Sequence, residues 1–357
     1  MFRVTFVKRQ REGADIAFSL FISIVSILVA LAVSAAVVKA SHLNPQTAFQ
    51  TLFVGAFGSM RSLSEVLIKT TPLSLAGLGV AFAFRGGAFN IGADGQLNMG
   101  ALASTVVCLT VGPFVGWLGV PLGLASGCVL GGVYGAFAGW MRAKLKVSEV
   151  IVTIMLNFIA TLLINHLVHG PLKDPTGFMP QTAEIPVTSR LPLLIATTRL
   201  HAGVLVAVAA AILVYILLFL TPFGYKVRCV GINQTAAMYG GIDVERVLVA
   251  TMSVSGCLAG LAGAIEVLGI HYRLLEGISP GYGFDAIAVA LLGKLNPLAI
   301  PVSAFLFGAL RVGANSMQRV AHVPSTLVYL IQGIVVLFLL GGEFFARYRI
   351  RFLRREA

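Results

Sequence analysis

From Arg85 to Asn98 a long apolar run is interrupted by the polar, glycine-rich stretch R-G-G-A-F-N-I-G-A-D-G-Q-L-N, after which the chain turns apolar again. Hydrocarbon holds no water to pair backbone N–H and C=O groups. An irregular polar segment at bilayer depth therefore survives only when buried in protein or lining a cavity. A second interruption, Gly277 to Asp285 (G-I-S-P-G-Y-G-F-D), occupies the corresponding place in the C-terminal half. Paired interruptions of this kind point to a passage for a solute.

With 57% hydrophobic and 11% charged residues over 357 positions and a mean hydropathy of +0.91, the chain has too little polar surface for a water-soluble globule. It reads as an all-α polytopic membrane protein. A run of about 20 apolar residues crosses the bilayer as a helix. About ten transmembrane helices are expected, near 16–38, 63–84, 92–112, 116–140, 150–168, 201–220, 247–268, 282–293, 297–313 and 324–342. The eighth is too short for a regular crossing, so it is expected to be broken or paired with extended backbone. Around these spans lie an N-terminal segment 1–15 and a basic tail 346–357, and the membrane domain 16–345 carries longer loops at 169–200 and 221–246.

Cytoplasmic loops retain Lys and Arg. An N-terminus inside puts most of the 26 Lys and Arg on that side, including Arg85, Arg142, Lys144, Lys146, Lys226, Arg228 and Arg246. Both termini, the loop 221–246 and the tail are therefore expected to be cytoplasmic, and 169–200 to be an outer loop. The net charge of +12 then serves as an anchor to anionic membrane lipid, and no nucleic-acid partner is needed. The first apolar run is too long for a cleavable signal peptide and is expected to stay as an anchor.

Glycine recurs at every fourth position through Gly119, Gly123, Gly127, Gly131, Gly135 and Gly139. Such a stripe lets another helix approach closely, for plain packing or for sliding. The four cysteines show no metal or disulfide spacing and read as packing residues. Of the six histidines only His166 and His169 have a spacing that could grip a metal, and with no third ligand near them no metal is expected. The outer loop holds five prolines, at 171, 175, 180, 186 and 192, which make it stiff and extended, either a docking surface or filler.

The loop T-P-F-G-Y-K-V-R-C-V-G-I-N-Q-T-A-A-M-Y-G-G-I-D-V-E-R encodes a short helix of its own. Asn233 suits the N-cap, Gln234, Thr235, Ala236, Ala237, Met238 and Tyr239 the turns, and Gly240 with Gly241 the left-handed stop. A capped helix between two spans is rigid enough to receive a push from a partner, although caps alone also fit an ordinary surface helix.

Four stretches, in order, resemble a known family: F-N-I-G-A-D-G-Q, S-E-V-I-V-T-I-M-L-N ending at Asn157, G-I-N-Q-T-A-A-M-Y-G-G-I, and G-Y-G-F-D-A-I-A-V-A-L-L-G. They are similar to the inner-membrane permeases of ABC importers, in the branched-chain amino acid and simple-sugar permease superfamily. The second stretch is most like the nucleoside and simple-sugar branch. The resemblance implies a permease in the cell membrane that works with a cytoplasmic ABC ATPase subunit, a second homologous permease and an extracytoplasmic solute-binding protein of lipoprotein type. It also implies that the Asn233–Gly241 helix couples to the ATPase. No cofactor is expected. The nearest approach to a phosphate loop, Gly293-Lys294, has Ala288 where glycine is required and Leu295 where Ser or Thr would hold magnesium, so no nucleotide is bound by that route and no enzyme activity is expected.

Candidates for the passage are Asn90, Asp94, Gln96 and Asn98 in the first break and Asp285 in the second, because unpaired hydrogen-bonding groups are costly at that depth. Phe89, Tyr282 and Phe284 offer faces for a base or sugar. The competing reading is that the polar groups cap broken helices and tie the bundle together. Asn157, about two helical turns beyond Glu149 on nearly the same face, joins the candidates. A faint likeness between the two breaks suggests an inverted repeat. A self-powered secondary transporter is the alternative, kept open by Glu266, Glu276, Asp94 and Asp285, as is a branched-chain amino acid solute; a membrane enzyme lacks any paired carboxylates or nucleophile.

Overall fold

The computed structural model describes the backbone of residues 2–8 and 14–354 and the side chains of 25, 26, 28–338, 341 and 342; residues 1, 9–13 and 355–357 of the expected end segments lie outside the described residues. The helices are α1 (Ala14–Ala40), α2 (Pro45–Phe57), α3 (Met60–Arg85), α4 (Ala93–Thr110), α5 (Gly112–Val115), α6 (Gly119–Leu145) and α7 (Glu149–His169). They continue as α8 (Gly203–Phe219), α9 (Pro222–Ile232), α10 (Gln234–Tyr239), α11 (Val244–Glu266), α12 (Tyr282–Leu292), α13 (Ile300–Val320) and α14 (Ser325–Arg347). Each expected apolar span falls on one of them. Helices α2 and α9 lie outside those spans and start on the same local signal, a capping side chain followed by proline at N1. Asn44 Oδ1 accepts Gln46 N–H at 2.9 Å, and Thr221 Oγ1 accepts Gly224 N–H at 3.1 Å, where proline costs no hydrogen bond.

Among the described residues, four helical stretches are long and apolar enough to cross a membrane: Met60–Arg85, Gly112–Leu145, Glu149–His169 and Val244–His271. Helices α8 and α9, bent by 73° at their junction, make a fifth. By this measure ten regular crossings are not established. Helix α12 is the clearest exception, since its 11 residues cover about 16 Å of a core about 30 Å thick. It lies between irregular segments, Gly281 at φ 84° before it and Lys294 and Leu295 at φ 54° and 53° after it. The expected short eighth span takes this form.

The chain divides into two units, 59–311 and the combined ends 1–58 with 312–357. In the end unit α1 packs on α14, and Val38, Ala48, Met317, Val323 and Ile331 form its apolar core. An antiparallel ribbon pairs β1 (Phe2–Lys8) with β2 (Tyr348–Arg354), Phe2 opposite Arg354, so the two chain ends lie together.

In the larger unit α11 is central and packs on α6, α4 and α3. The glycine stripe of α6 meets glycines of α11. A Cβ added at Gly135 would stand 3.1 Å from Gly256 Cα, and one at Gly260 would stand 2.9 Å from Gly131 Cα. The two backbones thus touch, the close packing that small residues allow in lipid. Gly100 of α4 meets Gly260 in the same way, so three helices share one contact line. Helix α3 is buried almost throughout its second half in spite of Pro72. The loop 169–200 is hydrogen-bonded to the segment after α11, through Ile185 N–H to Tyr272 O (2.8 Å) and Leu191 N–H to Leu268 O (2.9 Å). Arg190 and Arg273 also bind its Glu184 and hold that carboxyl below the usual range.

The seam makes a direct prediction. Gly260→Leu, which drives a side chain into the α6 backbone, destabilises the protein by about 3 kcal/mol or more and lowers the melting temperature in detergent. Gly333→Ala, with nothing within 4 Å of the added Cβ, leaves it unchanged.

Candidate functional site

The first break runs from the end of α3 to the start of α4. Gly87 turns the chain at φ 72°, and buried side chains then replace the missing helical hydrogen bonds. Asn90, with no exposed surface, donates through Nδ2 to Gln96 Oε1 at 2.8 Å and to Ser255 Oγ of α11 at 2.7 Å. Its Oδ1 accepts Gly92 N–H at 2.9 Å and Gln96 Nε2 at 3.2 Å. Asn157 of α7 accepts Gly95 N–H at 2.8 Å and donates to Ile91 O at 3.0 Å. One amide thereby satisfies a donor in the first turn of α4 and a carbonyl of the break. Glu149, on the same side of α7, accepts Phe89 N–H at 3.3 Å. Asn98 reaches Thr161 Oγ1 at 3.5 Å.

The second break brings a second helix start to the same place. Asp94 Oδ1, in the first turn of α4, accepts from Ser279 Oγ at 2.6 Å and from Gly283 N–H of α12 at 3.1 Å. A side chain at Gly283 would collide with the backbone of Asp94. The N-termini of α4 and α12 therefore converge, and one carboxylate satisfies orphan donors at the start of α12, where negative charge is favoured. Tyr282 beside it is wholly buried, and its Oη accepts from Lys69 Nζ at 2.8 Å. Arg311 lies 4.8 Å from the Tyr282 ring centroid and binds Asp285 Oδ2 through Nε at 2.9 Å and Nη2 at 2.7 Å.

The breaks thus bring Asn90, Asp94, Gln96 and Asn157 together, with Tyr282 and Asp285 adjoining through α12. Phe89 and Phe284 stand apart from this buried set. They are 55% and 51% exposed, and Phe89 lies against Phe84 with ring centroids 5.1 Å apart. Four partners were not singled out in the sequence: Lys69, Arg311, Ser255 and Ser279. The two cations had a signal, since each is an isolated charge inside an apolar run. The serines had none. Glu266, at the end of α11 and wholly buried, has no hydrogen-bond partner for either carboxylate oxygen among the described residues; His271 Nε2 stands 3.3 Å from it.

At the basic end of the unit, α10 has the expected cap: Asn233 Oδ1 accepts Ala236 N–H at 3.0 Å. Gly240 follows, and the left-handed residue is Gly241 at φ 78°. Of Gln234 to Tyr239 only Ala237 is buried, and Ile232, Met238 and Tyr239 are 87%, 60% and 86% exposed. A short capped helix thus presents apolar side chains outward.

Residues 62–340, which include both breaks and the capped loop helix, match the family described as the permease component of the branched-chain amino acid transport system. The chain belongs to this permease family. It is 38% identical to a glucose ABC transporter permease of Haloferax volcanii over 92% of this chain and 88% of that protein. It is 36% identical to a guanosine ABC transporter permease of Bacillus subtilis over 94% and 95% of the two chains. A nucleoside ABC transporter permease of Lactococcus lactis is 31% identical over 89% and 90%. Membership in this permease family makes the chain a multi-pass membrane transport subunit.

Asn157→Ala removes the amide that serves both Gly95 N–H and Ile91 O, and loss of two buried bonds costs about 2–4 kcal/mol. A thermal melt in detergent checks this, with Asn157→Asp, which keeps an acceptor for Gly95 N–H but sets a carboxylate oxygen against Ile91 O, destabilised at least as much as Ala.

Proposed function

We propose that the chain is the membrane-spanning permease of an ABC importer, that its solute is a nucleoside or simple sugar, and that the solute passes between the converging N-termini of α4 and α12. The observation that carries this reading is the Asp94 link between the two breaks. The polar atoms of Asn90, Asp94, Gln96 and Asn157 are bound to protein, which suits a closed passage. Separating α12 from α4 frees Asp94 and opens a lining of amides and a carboxylate, with Asn98, Asp285 and the rings of Phe89, Tyr282 and Phe284 beside it. Amides and hydroxyl-binding carboxylates suit an uncharged, hydroxyl-rich solute, and the names of the relatives point the same way. A lining of this kind binds weakly, so selectivity falls largely to an extracytoplasmic binding protein, of lipoprotein type in this branch.

Energy comes from a separate ABC ATPase subunit. Asn233, Gln234, Thr235, Ala236, Ala237, Met238, Tyr239, Gly240 and Gly241 form the element that docks on it, supported by the outward Ile232, Met238 and Tyr239. This end is then cytoplasmic, with both chain termini, and a second homologous permease completes the pathway. The domain reading follows: a permease domain over 16–345 with the coupling loop 221–246 and the outer loop 169–200, flanked by cytoplasmic segments 1–15 and 346–357.

Uptake of radiolabelled guanosine, glucose and leucine into proteoliposomes holding the transporter, its ATPase and its binding protein tests the proposal. Uptake of guanosine or glucose that needs ATP, and falls about tenfold or more in Asp94→Leu from loss of a charged hydrogen-bond acceptor, is the expected result. Uptake of leucine alone, or uptake without ATP, would sink it.

A further inference from the structure

Close contacts join α9, the end of α6 and the start of α7 to the first break. A Cβ added at Gly231, the penultimate residue of α9, would collide with Arg85 O and stand 3.1 Å from Gly87 N; one added at Gly87 would stand 3.1 Å from Gly231 Cα. Glycine in both strands of chain is what lets these backbones touch. On the other side of the break, Arg142 Nη1 donates to Gly87 O at 2.9 Å and pairs with Glu149 Oε1 at 2.7 Å. The same Glu149 oxygen accepts Phe89 N–H at 3.3 Å. The ion pair thus grips the residues on both sides of Ala88, with only 18% and 12% of its two side chains exposed.

The grip extends to the end of α12, the helix that begins in the second break. Arg85, the last residue of α3, donates through Nε to Leu295 O at 3.1 Å and through Nη2 to Lys294 O at 3.5 Å. Lys294 and Leu295 are the two left-handed, non-glycine residues that end α12, a conformation that persists only where surrounding contacts hold it. One layer at the basic end of the unit therefore reaches the start of the first break and, through α12, the far end of the second. The first turn of α11 is tied into this layer, because Glu245 pairs with Lys144 at 2.7 Å and Lys146 at 3.4 Å at the end of α6, close to Arg142 in the chain.

We infer that the Gly231–Gly87 backbone contact and the Arg142–Glu149 pair are the linkage through which movement of α9–α10 resets both breaks, with Arg142, Glu149 and Gly231 as positioning residues for transport. The inference rests on the importer reading above, in which α10 faces the ATPase. A displacement of α10 carries α9 with it, shifts Gly231 against the Arg85–Gly87 backbone, and is converted into a change at Asn90 because the Arg142–Glu149 pair holds the far side of Gly87. Without the pair the break is held on one side only, and the push is absorbed there. ATP is then hydrolysed without solute moving.

The test is the number of ATP molecules hydrolysed per solute imported by the assembled transporter in proteoliposomes, using guanosine or glucose, whichever the unsubstituted transporter takes. A variant that merely folds poorly lowers both rates together and leaves this ratio where it was. R142Q, E149Q and G231A each raise the ratio about fivefold or more, in the range that residues along a coupling network produce. R142K, which keeps a charged donor for Gly87 O and Glu149, stays within about twofold of the natural protein. An unchanged ratio in R142Q and E149Q overturns the linkage. Import without ATP by the unsubstituted chain would instead remove the importer reading on which it rests.

Discussion

Everything in the larger unit depends on how irregular backbone is satisfied inside a helical bundle that lipid surrounds. Two interruptions leave donors and carbonyls that water cannot reach. The protein answers with buried side chains: Asn157 of α7 for Gly95 and Ile91, Asn90 within the break for Gly92, and Asp94 of α4 for the start of α12. The bonds of Asn157 and Asp94 cross from one element to another, so the breaks also hold the bundle together. The proposed passage uses the same atoms, because it opens only where such bonds can be exchanged for bonds to a solute.

The glycine seam supplies the rigid part. Where α6, α11 and α4 touch backbone to backbone, close van der Waals packing of small residues supplies the association that lipid, as apolar as the side chains, does not drive. Helix α12 is too short to cross and is bounded by glycine at one end and by two left-handed, non-glycine residues at the other. It meets α4 at Asp94, and the charged layer around Arg142, Glu149, Lys144, Lys146 and Glu245 lies at the end where α9 and α10 sit.

Of the two readings weighed for the polar residues of the breaks, the contacts seen are those of capping and tying. Asn90, Gln96, Asn157 and Asp94 do tie and cap the broken segments in this conformation. That these residues are bonded within the protein was legible in the sequence, because an amide or carboxylate in an apolar run has to have a partner. Where the aromatic rings lie was not: Tyr282 is buried beneath Lys69 and Arg311, whereas Phe89 and Phe284 are half exposed. A ring tolerates lipid, core or interface alike, so its type carries little information about position.

Sequence alone determined the helical membrane class, the placement of the breaks, the shortness of the eighth span, the α10 cap and the family, since each follows from local composition or from short motifs whose physics is complete within a few residues. Only the tertiary structure decided that α4 and α12 meet start to start, that Lys69 and Arg311 are drawn to Tyr282 and Asp285, and that Arg142 and Glu149 clamp Gly87 and Phe89. Those pairings join residues up to 213 positions apart. A chain's own periodicity fixes which face of a helix is polar, but the partner of that face is set by packing among helices, which no local pattern encodes.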